Sequence, residues 1–310
     1  MKTILLSFIL IFTFMNISYS QKDDCCEKET TTTQETTTIK KNSKPECCEE
    51  TGTTGSDITA PNIMATFGND QDFKDEHPQP LAFTFTDGKG KMITYKTSDV
   101  VDANGYEVKA ENPTNNWVFL FHEWYGLNDY IKREAEEVAS TLGNVNVLAI
   151  DLYDGKVAAN NDEAAKYVQS VTNDRALLII NGARDYAGSD AVFATYGWCF
   201  GGSWSNQAAI ELGDKCKACV IYYGMPEQNP DRLAKLKAPV LGVFAKQDGR
   251  ITPEVAGKFE SDLKSLNIPA TIVIYDAAHG FANPSNPKHD VTATKDAKEK
   301  TYTFLKEKMK

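Results

Sequence analysis

Six short apolar segments, at 117–121, 146–150, 191–196, 219–223, 240–244 and 271–275, are separated by stretches of helical spacing. That rhythm limits what the chain can fold into more than any other feature. Each segment is apolar on both faces, which suits a strand buried between two layers. The intervening stretches have recognisable ends: 128–142 stops at Gly143, 173–187 stops at Gly188, and Thr252-Pro253-Glu254 opens another. A last helix is expected over 294–309. Strands alternating with helices predict an α/β fold, with a mostly parallel central sheet and helices on both faces. Ahead of this region, 81–86 and 92–96 alternate apolar and polar around Asp87-Gly88-Lys89-Gly90, which predicts a hairpin, and a short strand is expected at 106–110.

The amino-terminal part follows other rules. Lys2, an apolar run from Ile4 to Met15 and small residues at Ser18 and Ser20 predict a secretory signal peptide over 1–20. The run is too short to cross a hydrocarbon core of about 30 Å as a helix, so the mature chain is expected to carry no membrane span. Seven threonines lie between Thr30 and Thr38, and few bulky apolar side chains accompany them. Such a stretch cannot offset its ordering entropy. Residues 21–80 are therefore read as a linker or stalk, disordered to about Thr59, with 60–80 either further linker or a strap packed on the domain, and 81–310 as the folded domain.

Export leads to an oxidising compartment, periplasmic or extracellular, where the doublets Cys25-Cys26 and Cys47-Cys48 are expected to pair. Cross-pairing is favoured because adjacent cysteines close a strained ring. Cys216 and Cys219 either pair across a C-x-x-C or are buried strand residues. With Lys+Arg 33 against Asp+Glu 43, the net charge of -10 offers no field for nucleic acid or anionic lipid. Composition leaves the oligomeric state open.

Parallel sheets put their chemistry at the carboxyl ends of strands. After 191–196 the chain reads Gly197-Trp198-Cys199-Phe200-Gly201-Gly202 and then turns helical. This is a G-x-C-x-G-G nucleophile elbow, in which glycines are needed where backbones pass too closely for a Cβ. The geometry presents the Cys199 thiol at the top of the sheet with an open approach, and the helix N-terminus behind it favours the thiolate. It also leaves the backbone N–H of Phe200 facing a developing oxyanion.

A cysteine hydrolase needs a base, and four histidines are present. His77 lies in the polar approach to the domain, His289 in a loop before the last helix, and His122 precedes the nucleophile. His279 directly follows the last strand, where the order nucleophile, acid, base requires it. Asp248, after 240–244, is the acid that fits this order. Asp276 is three residues from His279 on one loop and is better explained by turn chemistry.

The stretches His122-Glu123-Trp124-Tyr125-Gly126, Asp151-Leu152-Tyr153, Gly197 to Gly202, Tyr222-Tyr223-Gly224, Gln247 to Pro253 and His279-Gly280-Phe281-Ala282 together resemble the dienelactone hydrolase family of α/β-hydrolases, over about 90–310. The resemblance implies a Cys199, Asp248, His279 triad and oxyanion donors at the amides of Trp124 and Phe200. It also implies that Glu123 contacts the resting thiol and moves when substrate arrives. A carboxylate there disfavours a second negative charge and keeps the sulfur protonated until the site fills.

The activity so implied is cleavage of a small-molecule ester or lactone through a thioester acyl-enzyme, with no metal or organic cofactor required. The family's arginine clamp for a substrate carboxylate is not matched. Asn283 stands where one arginine is expected, and no Arg occurs between Asp151 and Thr172. A neutral or larger ester is therefore at least as well suited as an anionic lactone. The missing arginines and the doublet-bearing stalk also support a second reading, a secreted binding protein whose hydrolase fold is catalytically silent.

Overall fold

The computed structural model describes residues 59–310, so the expected leader, the threonine-rich stretch and the cysteine doublets lie outside the described residues. Eight strands form one sheet: β1 (Lys91–Tyr95), β2 (Ala103–Val108), β3 (Asn116–Phe121), β4 (Asn146–Ile150), β5 (Val192–Trp198), β6 (Cys216–Tyr222), β7 (Val240–Ala245) and β8 (Ala270–Tyr275). Their order across the sheet is β1-β2-β4-β3-β5-β6-β7-β8. β1 and β2 run antiparallel, as do β2 and β4; every later pairing is parallel. The six apolar segments are thus the parallel strands, and β3, β4, β5 and β7 are buried almost throughout.

Nine α-helices accompany the sheet among the described residues: α1 (Ala60–Thr66), α2 (Gln71–Asp75), α3 (Asp129–Leu142), α4 (Asn161–Ser170), α5 (Asn173–Ala187), α6 (Phe200–Leu212), α7 (Pro230–Leu233), α8 (Pro253–Ser265) and α9 (Val291–Lys308). α3 and α9 pack together against the sheet, and α1, α4, α5 and α6 form a second connected group. Side-chain caps set the starts: Asn128 accepts from Ile131 N–H, Thr172 from Arg175 N–H and Asp290 from Ala293 N–H. Gly143 and Gly188, both at positive φ, end α3 and α5 where the sequence predicts.

Three readings are revised or decided by the structure. The folded part begins before Leu81, because residues 59–80 form a strap of α1, a 3-10 turn and α2 laid on the body. Pro61 starts α1, and the Asp70 side chain both caps α2 and accepts from Arg250 Nε at 2.9 Å. The strap's order is supplied by the body rather than by its own composition. Second, 81–86 is not half of a hairpin; β1 pairs with β2, Lys91 opposite Glu107 and Tyr95 opposite Ala103. The turn residues instead lie against α3, with Gly90 N–H on Glu136 Oε1 at 2.7 Å. Third, of the two readings of Cys216 and Cys219 the buried strand residues hold, since both are free, buried thiols. They sit three positions apart on one extended strand, about 10 Å at 3.3 Å per residue, beyond the reach of a disulfide.

Candidate active site

The chain passes from β5 into α6 through Cys199, whose φ of 53° and ψ of -120° are a conformation that an L residue adopts only when its surroundings impose it. Those surroundings are the two flanking glycines. A Cβ on Gly197 would lie 2.0 Å from Gly201 O, and one on Gly201 would lie 2.2 Å from Phe121 O at the end of β3. Any side chain there would drive α6 off the sheet. The Cys199 N–H is held by Tyr222 O at 2.9 Å. Sequence, bend and thiol position are therefore one constraint.

Two loops from later strands complete the arrangement. Asp248, just after β7, is fixed by the N–H groups of Arg250 and Ile251, which donate to its Oδ1 at 2.9 and 2.8 Å. Its Oδ2 accepts from His279 Nδ1 at 2.5 Å, and both side chains are buried. Nε2 is then the nitrogen left on His279, and it has no hydrogen-bond partner. A ring nitrogen of His279, the Cys199 sulfur and a ring nitrogen of His77 all lie within 4.8 Å of one another. Burial works against the imidazolium, yet the adjacent Asp248 carboxylate outweighs it and holds His279 above the ordinary histidine range. Burial pushes the Cys199 thiol up, with His279 opposing.

The three triad candidates are brought together, but the expected open approach is absent: Cys199 is 0% and His279 1% exposed. The cover is the strap. His77 Nε2 lies 3.3 Å from Cys199 Sγ, while its Nδ1 donates to Phe73 O at 2.8 Å. Burial, then the nearby His279, depresses the His77 pKa to about 3, so the ring is neutral. Phe73 is wedged between the rings of His77, Trp124 and His279 at 4.5, 5.7 and 5.3 Å. The strap is pinned by Tyr125 OH, which donates to His77 O at 2.8 Å and Pro78 O at 3.1 Å, and by Asn161, whose Nδ2 donates to Lys74 O at 2.6 Å.

Glu123 does not make the contact with the thiol implied by the resemblance; His77 takes that place. The Glu123 carboxylate accepts from Asn283 Nδ2 at 2.8 Å and Tyr223 OH at 3.4 Å instead. Burial raises its pKa to about 7, against the opposing Asn283 hydrogen bond. The backbone N–H of Trp124 makes no hydrogen bond among the described residues, and that of Phe200 opens α6, where no intrahelical acceptor exists. His122 uses both ring nitrogens on backbone, Nδ1 at Glu123 O and Nε2 at Leu152 N–H, so it is a fixed structural group. Asp276 is exposed on its loop, with Gln247 at 3.3 Å.

His77 and Phe73 are the site residues that sequence reasoning missed. No periodicity or spacing marks them, since the triad residues they cover, Cys199 and His279, are more than a hundred residues away in the chain. A narrow cleft beside Glu123, lined by Tyr125, Tyr130, Ile131, Trp198 and Asn283, contains two carboxylates, Glu123 and Glu134, and no cationic side chain.

A sequence model described as the Dienelactone hydrolase family matches residues 103–309. Protein usf of Aquifex pyrophilus is 25% identical over 235 residues, covering 70% of this chain and 98% of that protein. A Saccharolobus solfataricus protein with the provisional name carboxymethylenebutenolidase is 24% identical over 255 residues, covering 66% and 96%. Among solved structures, a dienelactone hydrolase-like promiscuous phosphotriesterase from metagenomic libraries superposes with a TM-score of 0.62 at 18% identity, covering 72% of this chain and all of that one.

Proposed function

The chain belongs to the dienelactone hydrolase family, and from that premise we propose that it is an exported hydrolase that opens a neutral ester or lactone through a thioester on Cys199. The observation that carries this reading is the buried His279–Asp248 pair, whose remaining nitrogen is left without a partner beside the sulfur. In the cycle, His279 Nε2 takes the thiol proton and the thiolate attacks the substrate carbonyl carbon. The amides of Trp124 and Phe200 donate to the oxyanion. His279 then protonates the departing alkoxide and activates water to hydrolyse the thioester, with Asp248 orienting the ring throughout. Substrate entry requires Phe73 and His77 to withdraw, so turnover includes an opening step of the strap.

A neutral substrate is favoured by the cationless cleft and by Asn283, whose amide is engaged with Glu123. Export is supported by the pattern of residues 1–20. The covered thiol is the one observation favouring the other reading, a silent binding protein.

Hydrolysis of short neutral p-nitrophenyl esters by wild type and Cys199→Ala separates the two. Turnover that falls by roughly four orders of magnitude in the variant supports the enzyme. Equal, negligible rates for both proteins, with Cys199 refractory to iodoacetamide, establish the silent scaffold.

A further inference from the structure

His77 has no part in that cycle, yet it is buried with its Nε2 on the nucleophile. We propose that His77, Cys199 and His279 form a three-ligand site for Zn2+ that locks the strap across the sulfur.

Two imidazoles and a thiolate are donors this ion takes readily. Zn–S near 2.3 Å and Zn–N near 2.0–2.1 Å set a tetrahedral S···N separation of about 3.5 Å. His77 Nε2 stands 3.3 Å from Sγ, and all three donor atoms lie within 4.8 Å of one another. Each imidazole is also held from behind as a zinc histidine is held, by a carbonyl or a carboxylate on its other nitrogen. His77 Nδ1 is on Phe73 O at 2.8 Å, and His279 Nδ1 is on Asp248 Oδ2. Those bonds aim both Nε2 atoms inward, and the one on His279, on a side chain 1% exposed, has no partner.

Negative charge to balance the cation comes from the thiolate, from Asp248 and from Glu76 on the strap, whose buried Oε2 is also unpartnered. Binding is an acid–base event with no redox change. The Cys199 S–H bond breaks, an S–Zn bond forms, and the proton leaves to the buffer together with any proton on His279 Nε2.

The site needs only its donor atoms, so it stands whether or not the hydrolytic reading holds. If that reading holds, the ion occupies nucleophile and base at once and switches hydrolysis off.

The test uses the full chain, reduced and freed of metal by a chelator, with wild type compared against His77→Ala and His77→Gln so that the stalk cysteines cancel. Zn2+ binding is followed by calorimetry, and Co2+ is used as a spectroscopic probe. Peptide-resolved iodoacetamide labelling reports on Cys199 itself. Expected are a Co2+ thiolate charge-transfer band, protection of Cys199 from alkylation by Zn2+ but not by Mg2+, and release of at least one proton. The site's affinity should weaken by at least ~100-fold in both His77 variants, because loss of a ligand exceeds the 10–100-fold effect of losing an outer partner. Equal protection of Cys199 by Zn2+ in wild type and the His77 variants, or none in wild type, overturns the proposal. An enzyme inactive on every ester that still shows the band and the protection would remove the hydrolytic reading and leave the metal site intact.

Discussion

Cys199 owes its conformation to two missing side chains. A methyl group at Gly201 would meet Phe121 O at 2.2 Å and His122 O at 2.4 Å, both backbone atoms that cannot turn aside. Gly201→Ala should therefore lose about 3 kcal/mol or more, a fall in Tm of roughly 6–12 °C, readable by thermal unfolding. An unchanged Tm would mean that α6 is less tightly seated than these contacts require. Glu123 gives a second test. Its pKa is raised in the fold to about 7 from an ordinary 4.5, chiefly by burial. A raised carboxyl favours the fold below its unfolded value and loses that contribution as pH climbs through the folded one. Glu123 should thus withdraw about 3 kcal/mol between pH 4.5 and just above pH 7, read as the change with pH in the stability difference between wild type and Glu123→Gln in urea titrations, a difference that leaves out the opposite contribution of buried His77. The triad candidates were legible in the sequence because each closes or follows a short apolar strand in a fixed order. His77 was not, because nothing local distinguishes a histidine that reaches 122 residues along the chain to a sulfur.

Among the elements, α3 and α5 could be read to within a residue, since Asn128, Gly143, Thr172 and Gly188 punctuate them chemically. The hairpin around Asp87-Gly88 failed for the opposite reason. Alternation names a strand but not its partner, and β1 pairs with β2 instead. The strap could be named only as an alternative to further linker, because Met64 and Phe73 gain their burial from the body and carry no period of their own. Its attachment is testable. Tyr125→Phe removes the hydroxyl that donates to His77 O and Pro78 O. Losing about 1–1.5 kcal/mol of closure should speed Cys199 alkylation about tenfold while the midpoint of global unfolding stays nearly constant. Equal alkylation rates in variant and wild type would show that these bonds do not govern access.

The molecule as a whole is acidic, with a net charge of -10, and no cationic side chain lines the cleft beside Glu123, although Lys298 pairs with Glu134 at 2.7 Å. For an anionic ester kcat/KM should be lower than for its neutral counterpart and should rise with added salt, because screening removes repulsion. The neutral ester should respond little. A salt-independent preference for the anion would place a cationic clamp where none is visible. No helix of the described residues is long and apolar enough to cross a membrane.

The strap also has an awkward place in time. It precedes every strand along the chain, yet its anchors, Tyr125, Asn161, Arg250 and the paired rings beside the sulfur, are spread between the strands and beyond the last of them. Those anchors stand in their final positions only once a sheet built of distant parallel pairings has closed. The strap's full set of contacts therefore depends on the rest of the domain being in place. A sulfur assembled ahead of its cover would stand open to acylation, oxidation and capture by a metal, with the outcome set by whichever reagent arrives soonest.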